Sequence, residues 1–119
     1  MDKRKLVQEV RQFVEMKLLT QDIIRKFPPI GATDGKNPKD VEIIAKFFTP
    51  DAQASWYATE YDPRTGEMFG WADMGMGMGE LGYFDFNEIK RLRGKMGLPV
   101  ERDLYFKATL DDVMKGRKR

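Results

Sequence analysis

The chain has 119 residues, the size of one domain with one modest core. Hydrophobic residues make up 41% of it and charged residues 34%, and no apolar run reaches the ~18 residues of a membrane span, so a soluble globular protein without a membrane segment is expected. Cysteine and histidine are both absent, which excludes disulfides, thiol chemistry, Cys/His zinc sites, Ser-His-Asp triads and histidine bases, and agrees with a reducing, cytoplasmic setting.

The elements follow in chain order. The basic start, Met1-Asp2-Lys3-Arg4-Lys5, leads into a polar, amphipathic segment rather than an apolar h-region, so no signal peptide is expected. Leu6, Val7, Val10, Phe13, Val14 and Leu18 recur near a 3.6-residue period and predict an amphipathic helix over residues 3–19. Thr20 predicts an N-cap for a short second helix carrying Ile23, Ile24 and Phe27, which Pro28-Pro29 ends. Residues 30–40, "IGATDGKNPKD", concentrate turn formers and read as a mobile loop. Strands are predicted over residues 41–48, 55–61 and 67–73. The last two form a hairpin across Asp62-Pro63-Arg64-Thr65-Gly66, a type I turn with a left-handed glycine. A short strand over residues 81–84 follows, and Asp85 with Glu88 has the spacing of a capping box for a helix reaching about Arg93. Gly94 and Gly97-Leu98-Pro99 end it. Residues 103–106 predict a last strand and residues 109–115 a short helix before the tail Gly116-Arg117-Lys118-Arg119.

These elements predict an α+β fold: one domain over residues 1–119, a three- to five-stranded antiparallel meander with packed helices. Alternation puts Trp56, Ala58 and Glu60 on one face of the sheet and Tyr57, Thr59 and Tyr61 on the other, with Phe69 and Trp71 sharing a face. Aromatics on both faces require helices on both sides or an exposed aromatic surface.

Four blocks carry a family resemblance: "KFFTPDAQASWYATEYD", "MFGW", "ELGYFDFNEI" and "GLPVERDLYF". In order and spacing they resemble domain of unknown function 2958, and the likeness covers residues 18–107, leaving out the helix of residues 1–17 and the tail of residues 116–119. The family pattern emphasises Trp56, Tyr57, Thr59, Glu60, Gly82, Tyr83, Phe84, Glu101, Arg102 and Asp103. The resemblance implies a small bacterial protein carried on plasmids and integrative elements, with a role in element maintenance or in countering host defence. It implies no particular reaction.

"MGMGMGELGYF", residues 74–84, contains the spelling G-x-G-x-x-G, but dinucleotide binding needs a strand before the glycines and a helix opening at the last one. Here a strand follows Gly82 and the helix cap comes only at Asp85, so the stretch reads as a strand end and turn, with no cofactor implied. The acids Glu60, Asp62, Glu67, Glu80, Glu101 and Asp103 show no diagnostic metal or acid–base spacing, and no catalytic or metal residue is assigned. Glu60 and the Glu101-Arg102-Asp103 run are expected to form an ion-pair network that fixes the last strand.

Charge is uneven. Residues 1–50 hold 10 Lys/Arg and 7 Asp/Glu, residues 51–89 hold 1 and 8, and residues 90–119 hold 10 and 4, giving +3, −7 and +6. The basic clusters supply Lys90, Arg91, Arg93, Lys95, Arg117, Lys118 and Arg119 as candidate phosphate contacts. Trp56, Tyr57, Glu60, Glu80, Tyr83, Glu101, Arg102 and Asp103 form the candidate binding surface. A non-enzymatic binding module is expected, contacting nucleic acid or a host or element protein. The alternative is a carboxylate enzyme, metal-assisted or not, acting on nucleic acid or another phosphate-containing substrate.

Overall fold

In the hairpin β2 (Ser55–Tyr61) to β3 (Glu67–Asp73), Gly66 takes φ 87°, and its N–H donates to the Asp62 carbonyl at 2.8 Å. Only glycine adopts that φ without strain, which is why the turn closes there. β1 (Ala45–Phe48), β4 (Gly79–Asp85) and β5 (Glu101–Arg102) complete a five-stranded, wholly antiparallel sheet ordered β4-β3-β2-β1-β5. The helices are α1 (Lys3–Leu18), α2 (Gln21–Lys26), α3 (Phe86–Ile89) and α4 (Leu110–Met114), with a 3-10 turn at Pro38–Asp40. The fold is α+β, in one compact domain. The computed structural model describes residues 2–116, except for the side chains of residues 10–17. The apolar stripe expected at Val10, Phe13 and Val14 and the tail cations Arg117, Lys118 and Arg119 lie outside the described residues. Of the remaining stripe, Leu6 and Val7 are exposed and Leu18 is buried.

One face of the sheet carries the main core. Ala45, Phe47, Trp56, Ala58, Tyr61 and Met68 pack there against Leu18, Leu19, Phe86, Ile89 and Val100, with Phe47 and Met68 fully buried. The opposite face has a smaller core in which Val41, Ile43 and Leu110 cover Tyr57 and Trp71. Helices cover both faces, α4 packing against β2, β3 and the 3-10 turn, and the far end of the second face carries Phe69 and Tyr83, whose rings pack at 5.0 Å with Tyr83 63% exposed.

Simple alternation fails in β2. The register with β3 shifts between Ala58 and Glu60, and Tyr61 then pairs with Met68 while Glu60 pairs with Phe69. The extra residue, Thr59, is buried and donates its hydroxyl to the Phe69 carbonyl at 3.0 Å. A bulge of this kind reverses the faces beyond it. Tyr61 therefore joins Trp56 and Ala58 in the main core, and Glu60 leaves the face on which alternation had put it.

Other boundaries move for local reasons. Val41 and Ile43 precede β1 and bond to the chain entering α4, with Ile43 N–H on the Ala108 carbonyl and Leu110 N–H on the Val41 carbonyl. The last strand ends at Arg102, because the Asp103 carboxylate accepts from the Tyr105 N–H at 3.1 Å and turns the chain away. Asp85 caps α3 through the Asn87 N–H, yet the helix stops at Ile89. Beyond it, the Asp51 carboxylate accepts from Met96 N–H at 2.6 Å and Leu98 N–H at 3.4 Å. Gly94 lies so close to Asp51 that an added Cβ would fall 1.5 Å from its Oδ1. The turn gathered around Asp51 competes with any longer helix.

Candidate groove at the β5 edge

Where the chain leaves β5 it opens a groove of about 680 Å³ along the outer edge of β1. Lys26, Lys46, Arg102 and Lys107 bring four cations to its lining, and Glu42 and Asp103 bring two carboxylates, so the lining is net positive. The rest is apolar or aromatic, including Ile44, Tyr105 and Phe106.

The Lys46 ammonium lies 5.1 Å from the Phe106 ring centroid, 5.5 Å from Tyr57 and 6.0 Å from Phe48. Tyr57 and Phe106 themselves pack at 5.5 Å. Cation–π attraction from several rings holds the charge at the groove wall. Arg102 sits on β5 opposite Phe47, and burial pulls its guanidinium below its ordinary pKa. It stays cationic, because arginine does not deprotonate in proteins. Asp103 N–H donates to the Lys46 carbonyl at 3.0 Å, which fixes the loop of residues 103–107 to the strand. Tyr105, on that loop, is 92% exposed. The arrangement offers a stacking ring beside cations, the chemistry that tracks a phosphate-bearing chain.

The expected binding residues are scattered relative to this groove. Arg102 and Asp103 line it, and Tyr57 supports it from below. Glu101 is exposed on the same short strand. Trp56 is only 7% exposed and Glu60 1%, so both are withdrawn from any surface. Glu80 and Tyr83 lie on β4, at the opposite edge of the sheet. Lys90, Arg91, Arg93 and Lys95 sit in the segment after α3, and none lines the groove. The Arg91 and Arg93 guanidiniums donate to the Asn87 and Leu92 carbonyls, and Lys95 borders a separate hollow with Asp51, Gln53 and Met74.

Glu60 does not join Arg102 in a network. Its carboxylate accepts from the Gly31 N–H at 2.7 Å, from the Thr33 N–H at 2.9 Å and from the Thr33 hydroxyl. The loop of residues 30–40, expected to be mobile, is thus clamped to the end of β2. The Tyr61 N–H, on the Pro28 carbonyl at 3.1 Å, adds to the clamp. Among the described residues no three Asp or Glu side chains gather as metal ligands would.

The groove's principal residues escaped the sequence reading. Lys26, Lys46 and Lys107 lie in three different segments and form no run, and "DLYF" read as a strand hides the exposure of Tyr105. Only the fold unites them.

No helix among the described residues is long and apolar enough to cross a membrane. No curated protein and no solved structure shows significant similarity to the chain. Its residues 18–112 match the family described as protein of unknown function (DUF2958), a stretch that takes in the hairpin, the groove and the Glu60 clamp together. The chain belongs to that family.

Proposed function

We propose that the protein is a non-enzymatic binding module that takes single-stranded nucleic acid along the groove at the β5 edge. The observation that carries this reading is Tyr105, a 92% exposed aromatic ring on a loop whose groove gathers Lys26, Lys46, Arg102 and Lys107. Stacking on an exposed ring is indifferent to base identity, and cations beside it neutralise the backbone. Glu42 and Asp103 narrow the electrostatic gain and favour a ligand that threads between them over a flat duplex face. Cytoplasmic service to a plasmid or another mobile element, in its maintenance or in countering host defence, accords with the family resemblance and with such a ligand.

The test is fluorescence anisotropy with a labelled oligothymidylate, a labelled duplex and a salt series. Single-strand affinity is expected to fall with salt, with a log–log slope of about −3 if all four cations engage. Tyr105→Ala is expected to weaken binding by about tenfold at unchanged Tm, since one base stack is worth about 1–3 kcal/mol. Binding that ignores salt, or that survives Tyr105→Ala combined with Lys107→Ala, would sink the reading.

A further inference from the structure

The opposite edge of the sheet carries a second, independent surface. β4 spans seven residues and pairs only with β3; no strand among the described residues covers its outer edge. Which backbone groups face outward follows from the ladder. The Phe86 N–H donates to the Gly66 carbonyl at 2.9 Å, and Gly66 and Phe86 continue the register that pairs Glu67 with Asp85. Antiparallel pairs alternate between hydrogen-bonded and non-bonded, so Phe84, Gly82 and Glu80 also turn their amides toward β3. Gly79, Leu81, Tyr83 and Asp85 turn theirs outward.

Strand edges in soluble proteins are blunted by proline, lysine, bulges or shortness. β4 has no proline and no lysine, and its pairing with β3 runs without a register shift from Glu67 opposite Asp85 to Asp73 opposite Gly79. Its outward side chains on the second face are Leu81, 46% exposed, and Tyr83, which continue the apolar surface begun by Phe69.

We propose that β4 pairs with β4 of a second copy, antiparallel, about a twofold axis through Gly82. The strand fits itself in this register. All seven residues overlap, Leu81 meets Tyr83 of the partner subunit in bonded pairs on both sides of the axis, and Gly82 meets its own counterpart in a non-bonded pair. Each Leu–Tyr pair is an aliphatic–aromatic cross-strand contact beside Phe69, and Glu80 falls opposite Phe84 of the partner subunit rather than another acid. Other twofold registers with the same amide parity overlap less of the strand, and the one centred on Tyr83 sets Leu81 against Asp85. A dimer so joined is one continuous sheet, isologous as twofold contacts are. It leaves the two β5 edges, and their grooves, at its far ends, and it stands whether or not those grooves bind nucleic acid.

The chain's lack of cysteine makes the test direct. A non-bonded antiparallel pair holds its Cα atoms about 4.5 Å apart, inside the roughly 4.4–6.8 Å that a disulfide spans. Gly82 has no atom within 4 Å of an added Cβ and no positive φ, so Gly82→Cys fits without strain. Under mild oxidation Gly82→Cys is expected to form a covalent dimer at least about tenfold faster than Lys107→Cys, an exposed site at the other edge. Adding Leu81→Pro, which deletes an outward N–H without touching the β3 ladder, is expected to abolish that advantage. Sedimentation of the unmodified chain at rising concentration should show twice the 13.8 kDa mass, and Leu81→Lys should restore the monomer. Equal crosslinking rates at the two cysteines would overturn the proposal. So would a monomer at every concentration, which would give the edge to a foreign strand or to none.

Discussion

At the β5 edge pairing stops after two residues, an aspartate turns the chain away, and the space it vacates becomes a charged groove under an exposed tyrosine. At the β4 edge pairing runs unbroken for seven residues and ends in open backbone flanked by Leu81 and Tyr83. The first edge carries a strand too short to template another and presents cations beside an aromatic ring. The second is open to strands. The difference teaches that edge geometry, more than composition, decides what a small sheet can meet, because both edges contain aromatics and acids.

The contrast also predicts where stability resides, and the largest test lies in the core beside β5. Phe47→Ala is expected to cost about 3–5 kcal/mol, the range for emptying a packed aromatic site, in urea unfolding. Tyr83→Ala at the β4 edge should cost only about 1 kcal/mol, the worth of an aromatic pair. Equal costs would erase the distinction between a structural flank and a presenting one.

Next in size is the clamp. Glu60→Ala leaves two loop amides without their carboxylate and should cost about 3 kcal/mol, given that bonds to a charged acceptor are worth about 1.5–3 kcal/mol each. Glu60→Gln should retain part of that, and a clamp variant as stable as the parent in thermal melts would assign the loop no structural weight.

Two glycines sharpen the comparison at finer scale. They are paired across β3 and β4, yet an added Cβ at Gly70 would lie 1.9 Å from the Tyr57 carbonyl, while at Gly82 it meets nothing. Gly70→Ala should therefore cost about 2 kcal/mol through forced backbone movement. Gly82→Ala should stay within about 0.5 kcal/mol, as at an open surface.

The smallest effect is a pH dependence. Burial, with Asp62 and Asp85 adding to it, raises the pKa of Tyr61 above its ordinary value. The folded state then keeps a proton that the unfolded chain releases above roughly pH 10, so this stabilisation is fully present below that pH and is lost as pH climbs from there through the raised folded-state pKa. Tyr61→Phe should flatten the decline in urea midpoint above about pH 10. An unchanged decline would place the phenol in water.

Much of this architecture was legible in the residues. The turn at Asp62 to Gly66, the Asp85 cap, the antiparallel α+β meander and the family blocks all rest on local chemistry, and local chemistry is written in neighbouring letters. What escaped depends on distant partners. The bulge at Thr59 is invisible to a two-residue alternation, so Glu60 and Tyr61 changed faces unannounced. Asp51 shortens α3 through its bonds to Met96 and Leu98, 45 and 47 residues further along the chain. The groove cations come from α2, β1, β5 and the loop after it, each unremarkable where it stands in the chain. Clusters such as Lys90 to Lys95 drew attention because they are contiguous, and contiguity is a poor guide to what a fold brings together.

The Glu60 clamp bears on how the molecule breathes. Gly31 and Thr33 belong to a segment that looks like solvent-facing loop, but their amide protons are held by a carboxylate anchored in the sheet and only 1% exposed. Opening that loop means first releasing the end of β2, so its two amides should exchange with deuterium on the timescale of the sheet rather than of a surface turn. Residues 30–33 and the last residues of β2 would then open and close as one cooperative unit, and slowly exchanging protons would mark a stretch that its composition gives every appearance of leaving loose.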